Sequence, residues 1–188
     1  MSLQERKREA RERAKAVRKG LSADPRDLVR RWPGMEPSAV IAGYWPIGDE
    51  FDVRPLLKRL SRSHTVVLPV TPQDRLRLSF RRWTPGCSME AGPFGTRHPV
   101  GQVGDGAAPL RPDVVLVPLL AFTRDGHRLG YGGGFYDETL AALKADHPAL
   151  RTVGIAYSGQ RVPVLPVEDH DVPLDHVLTE DGLITCSV

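Results

Sequence analysis

Four glycines fall within five positions, Gly130, Gly132, Gly133 and Gly134, inside the run Arg124–Asp137, which reads Arg-Asp-Gly-His-Arg-Leu-Gly-Tyr-Gly-Gly-Gly-Phe-Tyr-Asp. Glycine carries no Cβ, so the backbone turns freely there and can approach a ligand closely. Its amides, with the positive end of a following helix, make a seat for phosphate oxygens. Arg128 can neutralise phosphate charge from one side, and Asp137 can hold a magnesium ion from the other. On chemistry alone this is a nucleotide phosphate site. It is not a Walker loop, which ends in Gly-Lys-Ser/Thr, nor a dinucleotide fingerprint, since Phe135 stands where the third glycine belongs. The plainer alternative is a glycine-rich turn that joins a strand to a helix. Arg128 and the pair Tyr136-Asp137 favour the phosphate reading.

A second cluster, Glu168-Asp-His-Asp-Val-Pro-Leu-Asp175, brings Asp169, His170, Asp171, Asp175 and the following His176 into one stretch. Read alone it offers metal ligands, but the spacing fits no compact zinc pattern, and an acidic loop is the better reading. No Gly-x-Ser-x-Gly or His-Glu-x-x-His sequence supplies a nucleophile or a zinc-bound water. Cys87 and Cys186 lie far apart, with no Cys-x-x-Cys.

Strands and helices in alternation must position these residues. Gln4–Gly20 is expected to be a helix with Gly20 as its stop. Leu3, Ala10, Ala14, Val17 and Leu21 form a thin apolar stripe on it, and Lys7 and Arg11 project together one turn apart. Val40–Trp45 and Thr65–Val70 read as buried strands. Between them lie a loop carrying Glu50 and a helix from about Val53 to Leu60, with Asp52 as N-cap. Arg75–Phe80 alternates like a half-exposed, antiparallel strand. Val100–Pro112 reads as a surface connection. Asp113–Pro118 is a strongly apolar strand, and Leu119–Thr123 continues it toward the glycines. Tyr136–Lys144 is the next helix, with Leu140 and Leu143 inward. Thr152–Tyr157 is another strand and His176–Thr179 the last. This order predicts one α/β layered domain over residues 1–188, with a mostly parallel sheet.

Arg128-Leu-Gly-Tyr-Gly-Gly-Gly-Phe-Tyr-Asp137 closely resembles the signature of the 5-formyltetrahydrofolate cyclo-ligases, or methenyltetrahydrofolate synthetases. The resemblance implies an enzyme that uses ATP and Mg²⁺ to close the N5-formyl group of a reduced folate onto N10. It also implies a three-layer α/β/α fold related to ribose-phosphate isomerases and CoA transferases. Lys7-Arg-Glu-Ala-Arg11 matches the opening helix of that family, which contributes to ATP binding. The implied ATP site is Lys7, Arg8, Arg11, Arg128, Gly130, Tyr131, Gly132, Gly133, Gly134, Phe135 and Tyr136. Trp45, Glu50, Phe135 and Tyr136 are implied for the folate, and Asp137 and Asp171 for the metal. The resemblance implies that Arg128 and Asp137 carry the catalytic roles. Trp83 and Gly92-Pro-Phe-Gly95 resemble a further block, but His98 stands where the family usually has glutamate, and no role is assigned to it. Matches run from residue 7 to residue 182.

At 188 residues, with 26% charged and 40% hydrophobic residues, the chain suits a soluble globular domain. Residues 1–31 hold eleven Lys/Arg against five Asp/Glu, a balance of +6; the remainder has fifteen against eighteen, −3, and the two give the net +3. The basic excess is therefore local. Nucleic acid is not expected as a partner, because Glu5, Glu9 and Glu12 interleave the cations and no aromatic precedes Trp32. No apolar run suggests a signal peptide or a membrane span. A cytoplasmic monomer is expected, acting on 5-formyltetrahydrofolate with or without a polyglutamate tail. The competing readings are a family-like protein that binds ATP or a folate without closing the ring, and a nucleic-acid-binding module built on the basic N-terminus.

Overall fold

The computed structural model describes residues 1–34, 39–74, 76–101 and 110–187. Helix α1 spans Leu3–Lys19, α2 Arg26–Arg31 and α3 Arg54–Leu60, with strand β1, Val40–Ala42, ahead of α3. Strands β2, Thr65–Val70, β3, Ser79–Arg82, β4, Met89–Ala91, and β5, Arg97–Pro99, follow. Then come β6, Val114–Pro118, β7, Ala121–Phe122, β8, Arg128–Leu129, and helix α4, Phe135–Asp146. Strands β9, Arg151–Ile155, β10, His176–Leu178, and β11, Leu183–Thr185, complete the chain.

The main sheet runs β11-β10-β9-β6-β1-β2-β3. Its five central strands pair in parallel, while β3 and β11 pair antiparallel at the two edges. Alternate strand residues sort into two cores, as a pleated strand requires. Ile41, Val66, Leu68, Val114 and Leu116 pack with Leu28 of α2 and Leu56, Leu57 and Leu60 of α3. Ala42, Val67, Val115, Val117 and Val177 pack on the opposite face with Leu140 of α4. Helices thus cover both faces, and the layers are α/β/α, as the sequence implied.

The chain leaves β1 through α3 on one face and leaves β6 through α4 on the other. β1 and β6 are neighbours, so the winding reverses between them. In open α/β sheets the crevice outside the carboxyl ends of such a pair is where ligands bind. The loop after β1 carries Trp45 and Glu50; the segment after β6 leads to the glycines.

Helix α1 is closed at its start by a reciprocal capping box. The Ser2 hydroxyl accepts from the Glu5 N–H at 3.2 Å, and the Ser2 N–H donates to Glu5 Oε2 at 2.6 Å. Gly20 caps its other end. Thr65–Val70 matches its expected bounds, whereas the N-cap of α3 is Val53 rather than Asp52; Asp52 lies two residues ahead of Arg54 and accepts its N–H at 3.0 Å.

Several local expectations shift. Val17 is 51% exposed, whereas Leu3, Ala10, Ala14 and Leu21 of the expected stripe are half-buried, and Lys7 and Arg18 are buried on α1 with them. The antiparallel partner of β2 is Ser79–Arg82 rather than Arg75–Phe80, and Arg75 lies outside the described residues. Leu119–Thr123 does not prolong β6: Ala121–Phe122 turns off to pair with Arg128–Leu129 in a separate hairpin. His176–Leu178 is followed by one more strand, Leu183–Thr185, which folds back on it. The short α2 was not anticipated. Most of Val100–Pro112 lies outside the described residues.

Candidate active site

The β7–β8 hairpin delivers the glycines to the switch point. Its tip is held by the Thr123 N–H donating to the His127 carbonyl at 2.9 Å. Beyond Leu129 the backbone bends through Gly132, with φ +99°, and Gly134, with φ +71°, both in the left-handed region that side chains rarely adopt. Gly134 is the cap residue of α4 and offers no side chain to its first amides. Gly132, Gly133 and Gly134 are exposed. The bend therefore presents open N–H groups at the positive end of a twelve-residue helix.

Cations from α1 close over this bend. Arg11 Nε donates to the Gly130 carbonyl at 3.1 Å, and a Cβ on Gly132 would stand 3.0 Å from the Arg11 guanidinium carbon. One turn earlier, Lys7 is 5% exposed, with Nζ 2.7 Å from both Glu168 Oε2 and Asp171 Oδ2. Burial alone would lower the pKa of that ammonium, but its bonds to Asp171 and Glu168 outweigh burial and hold it above the ordinary lysine value. Burial works against the Asp171 carboxylate too, yet Lys7 and the Glu168 N–H keep its pKa below the usual aspartate value, so it is ionised at neutral pH. Arg8, about 100° around the helix from Lys7, is exposed.

On the other flank, Arg128 Nη2 lies 2.5 Å from Asp137 Oδ1, and Nη1 donates to the Val172 carbonyl. Asp137 Oδ1 also accepts the Val172 N–H at 3.2 Å. Asp171 and Asp137 thus meet the chain at consecutive residues, one through its own side chain and one through the Val172 peptide. Glu168, His170 and Asp171 offer ligand atoms within 4.8 Å of one another; Asp137 is not in that group. The remaining acid of the cluster, Asp175, is a structural residue. It accepts from the Thr152 N–H and hydroxyl, both at 2.7 Å, and pairs with Lys144 at 3.1 Å.

The loop after β1 brings a different chemistry. Glu50 is 8% exposed, and its Oε2 accepts the Ile47 N–H at 2.9 Å. Burial raises its pKa above the ordinary glutamate value; the Ile47 N–H, the Arg18 charge and the Tyr131 hydroxyl pull it part of the way back. Tyr44 donates to the Phe51 carbonyl at 3.0 Å and fixes the loop. The Tyr136 hydroxyl is pushed up by burial first and by the Glu50 charge second, so a phenol and a carboxylate share this corner. Half-buried Trp45 tilts against Trp83 at 6.5 Å between ring centres. Phe135 faces Phe94 at 6.0 Å across an open groove of about 660 Å³, lined also by Pro72, Gln73, Leu76 and Gly92.

The structure therefore links Lys7, Arg11, Arg128, the glycines, Asp137 and Asp171 around one bend, with Glu50 and Tyr136 near one another beside it, while Trp45 packs against Trp83 and Arg54. His98, left without a role, is a buried member of the β4–β5 hairpin. Its Nε2 lies 3.1 Å from Glu90, which also binds Arg81 at 2.5 Å. Two residues escaped the sequence reading. Phe94 is 78% exposed in a left-handed conformation, and only its place in Gly92-Pro-Phe-Gly95 marks it. Arg18 is 5% exposed, and its spacing of seven from Arg11 was the available signal.

Comparison with known proteins adds to this geometry. Residues 2–180 match the 5-formyltetrahydrofolate cyclo-ligase family. The chain is 35% identical over 150 residues to the 5-formyltetrahydrofolate cyclo-ligase of Escherichia coli (strain K12), covering 79% of this chain and 81% of that protein. It is 38% identical over 141 residues to the Haemophilus influenzae protein of the same name, covering 73% and 74%. Among solved structures, Aquifex aeolicus 5,10-methenyltetrahydrofolate synthetase superposes with a TM-score of 0.75 at 27% identity, covering 95% of this chain and 92% of that one. Among the described residues, no helix is long and apolar enough to cross a membrane.

Proposed function

The chain belongs to the 5-formyltetrahydrofolate cyclo-ligase family, and on that premise we propose that it converts 5-formyltetrahydrofolate to 5,10-methenyltetrahydrofolate, with ATP consumed to ADP and phosphate. Closing the ring requires N10 to attack the formyl carbon and the formyl oxygen to leave. Oxygen leaves poorly as hydroxide, so it first attacks the γ-phosphorus of ATP and displaces ADP. N10 then adds to the activated carbon and loses its proton, and the C–O bond breaks with inorganic phosphate departing. Both nucleophiles belong to the substrate. The protein's task is alignment and charge stabilisation.

The observation that carries this reading is the bend at the head of α4, exposed at Gly132–Gly134, with Arg11 bonded to Gly130, Arg128 to Asp137 and Lys7 to Asp171. The bend amides and the three cations would bind the triphosphate. Asp137 and Asp171 would hold Mg²⁺, whose preference is for oxygen donors; bound there, the ion would screen phosphate charge. The donor set fits, since both are carboxylates and Asp171 is kept ionised. Lys7 and Arg128 are paired with those same acids. MgATP carries both a cation and anions, so with it bound Lys7 and Arg128 would have phosphate oxygens as partners and Asp137 and Asp171 would have the ion. No buried charge is stranded in the exchange. Glu50 would accept from pterin N–H donors, with Trp45, Phe135 and Tyr136 as its apolar walls.

We place the enzyme in the cytoplasm as a monomer, acting on folates with or without a polyglutamate tail. Mixing the purified protein with 5-formyltetrahydrofolate, with MgATP, or with both tests the activity optically. Methenyl product is expected only in the complete mixture. Tight binding of folate or nucleotide with no product would support instead a non-catalytic member of the family.

A further inference from the structure

The glycine bend has little packing to hold it. Tyr131 carries the one side chain within Gly130–Gly134. A Cβ built on Gly130 would meet nothing within 4 Å among the described residues, and at Gly132 the nearest atoms belong to Arg11. Glycine backbone left to itself samples many conformations, so amides meant for phosphate would have to be ordered on binding, with a loss of affinity. A group that fixes this bend must hold it by its main chain or by the Tyr131 ring.

Helix α1 does both. Arg11 Nε holds the Gly130 carbonyl at 3.1 Å, and on the same face, about two turns later, Arg18 Nη2 donates to the Tyr131 hydroxyl at 2.5 Å. The Arg18 guanidinium carbon also stands 5.3 Å from the centre of the Tyr131 ring, a cation–π contact. Its other arm, Nη1, donates to the Leu119 carbonyl at 3.3 Å. Leu119 precedes β7 and Tyr131 follows β8. One guanidinium therefore spans the base of the hairpin that delivers the bend, where the Leu120 N–H donates to the Leu129 carbonyl at 2.7 Å.

Stability alone gives little reason for an arginine here. Arg18 is buried, both of its hydrogen-bond partners are uncharged, and its Nε has no partner among the described residues. A buried cation so placed costs free energy. Its partners would not be stranded without it: the Leu119 carbonyl also accepts from Gln160 Nε2 at 2.9 Å, and Tyr131 is half exposed to water. We propose that Arg18 is a positioning residue for the nucleotide, fixing the glycine bend by gripping the Tyr131 hydroxyl and the Leu119 carbonyl together. It acts on the phosphates only through Tyr131, and the proposal rests on the reading of the bend as the phosphate site.

The experiment compares Tyr131→Phe, Arg18→Met, Arg18→Lys, the Arg18→Met/Tyr131→Phe pair and Gly132→Ala in the full chain. KM is measured for MgATP and for 5-formyltetrahydrofolate, and the Kd of a non-hydrolysable ATP analogue with Mg²⁺ by calorimetry. Tyr131→Phe and Arg18→Met are each expected to raise the MgATP KM and the analogue Kd roughly tenfold, as loss of a hydrogen bond to a charged group does, with the folate KM near wild type. The pair is expected to be no worse than the worse single, because both changes cut the same link. Arg18→Lys, which keeps an N–H donor for the hydroxyl, should recover part of the loss. Additive losses in the pair would mean two independent effects and would overturn the proposal. So would an Arg18→Met variant that unfolds at lower temperature with no split between the two substrates, since Arg18 would then only tie α1 to Leu119. Should Arg18→Met fail to fold, Tyr131→Phe, which keeps the Leu119 contact, decides. If Gly132→Ala weakens MgATP while Tyr131→Phe binds it like the wild type, the grip is wrong and the phosphate site stands. If Gly132→Ala leaves MgATP binding unchanged, the phosphate reading of the bend fails and the grip with it.

Discussion

The two halves of the candidate site are built on opposite electrostatic plans. Around the glycine bend, charges of both signs interleave: buried Lys7 between the part-exposed carboxylates of Glu168 and Asp171, and the buried side chain of Arg128 on part-exposed Asp137. Around the loop after β1, the Glu50 carboxylate is buried near the phenols of Tyr44, Tyr131 and Tyr136. A network of paired charges can trade partners without stranding any of them, which suits a ligand that arrives as metal plus triphosphate. A buried carboxylate with fixed donors cannot trade, which suits recognition of a rigid ring by hydrogen bonds. The difference lies in the number of paired counter-charges rather than in residue type, since both halves rely on carboxylates.

Four changes would break or sharpen this contrast. Asp137→Ala removes a metal-binding acid and the partner of Arg128, and is expected to cut kcat by roughly 10³-fold with the protein still folded; steady-state rates with a circular dichroism check measure it, and near-normal turnover would refute the metal assignment. Gly132→Ala adds a Cβ where φ is +99° and Arg11 stands 3.0 Å away. Its backbone strain of about 1–3 kcal/mol should weaken MgATP, leaving the folate KM near wild type; a change in the folate KM alone would mean that the bend serves the other substrate. Glu50→Gln is expected to do the reverse, raising the folate KM by roughly tenfold with little effect on MgATP. In the native enzyme, burial has raised the Glu50 pKa, so kcat/KM for the folate should fall with decreasing pH through a value above that of an ordinary glutamate. A pH profile flat down to that ordinary value would place Glu50 outside folate binding. Smallest of all, Val17→Ser on the exposed side of α1 should shift unfolding free energy by no more than about 0.5 kcal/mol; a larger loss in a denaturant titration would restore Val17 to the packed face.

Legibility followed the range of the interactions. The glycine bend is local: its φ values demand glycine, so it stood out in the sequence. The strands β2 and β6 did too, because buried parallel strands read as unbroken apolar runs. Strand ends were less visible. Leu119–Thr123 is as apolar as a strand, and only its pairing with Arg128–Leu129 shows that it leaves the sheet. On α1 the half-buried Leu3, Ala10, Ala14 and Leu21 were legible, but the burial of Lys7 and Arg18 was not, for a related reason. Lysine and arginine count as surface residues until a long-range partner is known, and the partners of Lys7 and Arg18 lie more than 100 residues away. The folate half depends on such contacts throughout: Glu50 becomes unusual only once Tyr131, Tyr136 and Arg18 are folded around it.

The exchange of partners at the bend is the central physical claim, and a crystal structure with a non-hydrolysable ATP analogue, Mg²⁺ and 5-formyltetrahydrofolate tests it most directly. The account predicts phosphate oxygens on the Gly130–Gly134 amides, with Lys7 and Arg128 turned onto them and the ion on Asp137 and Asp171. A triphosphate bound elsewhere, with Lys7 still on Asp171 and Arg128 still on Asp137, would contradict it.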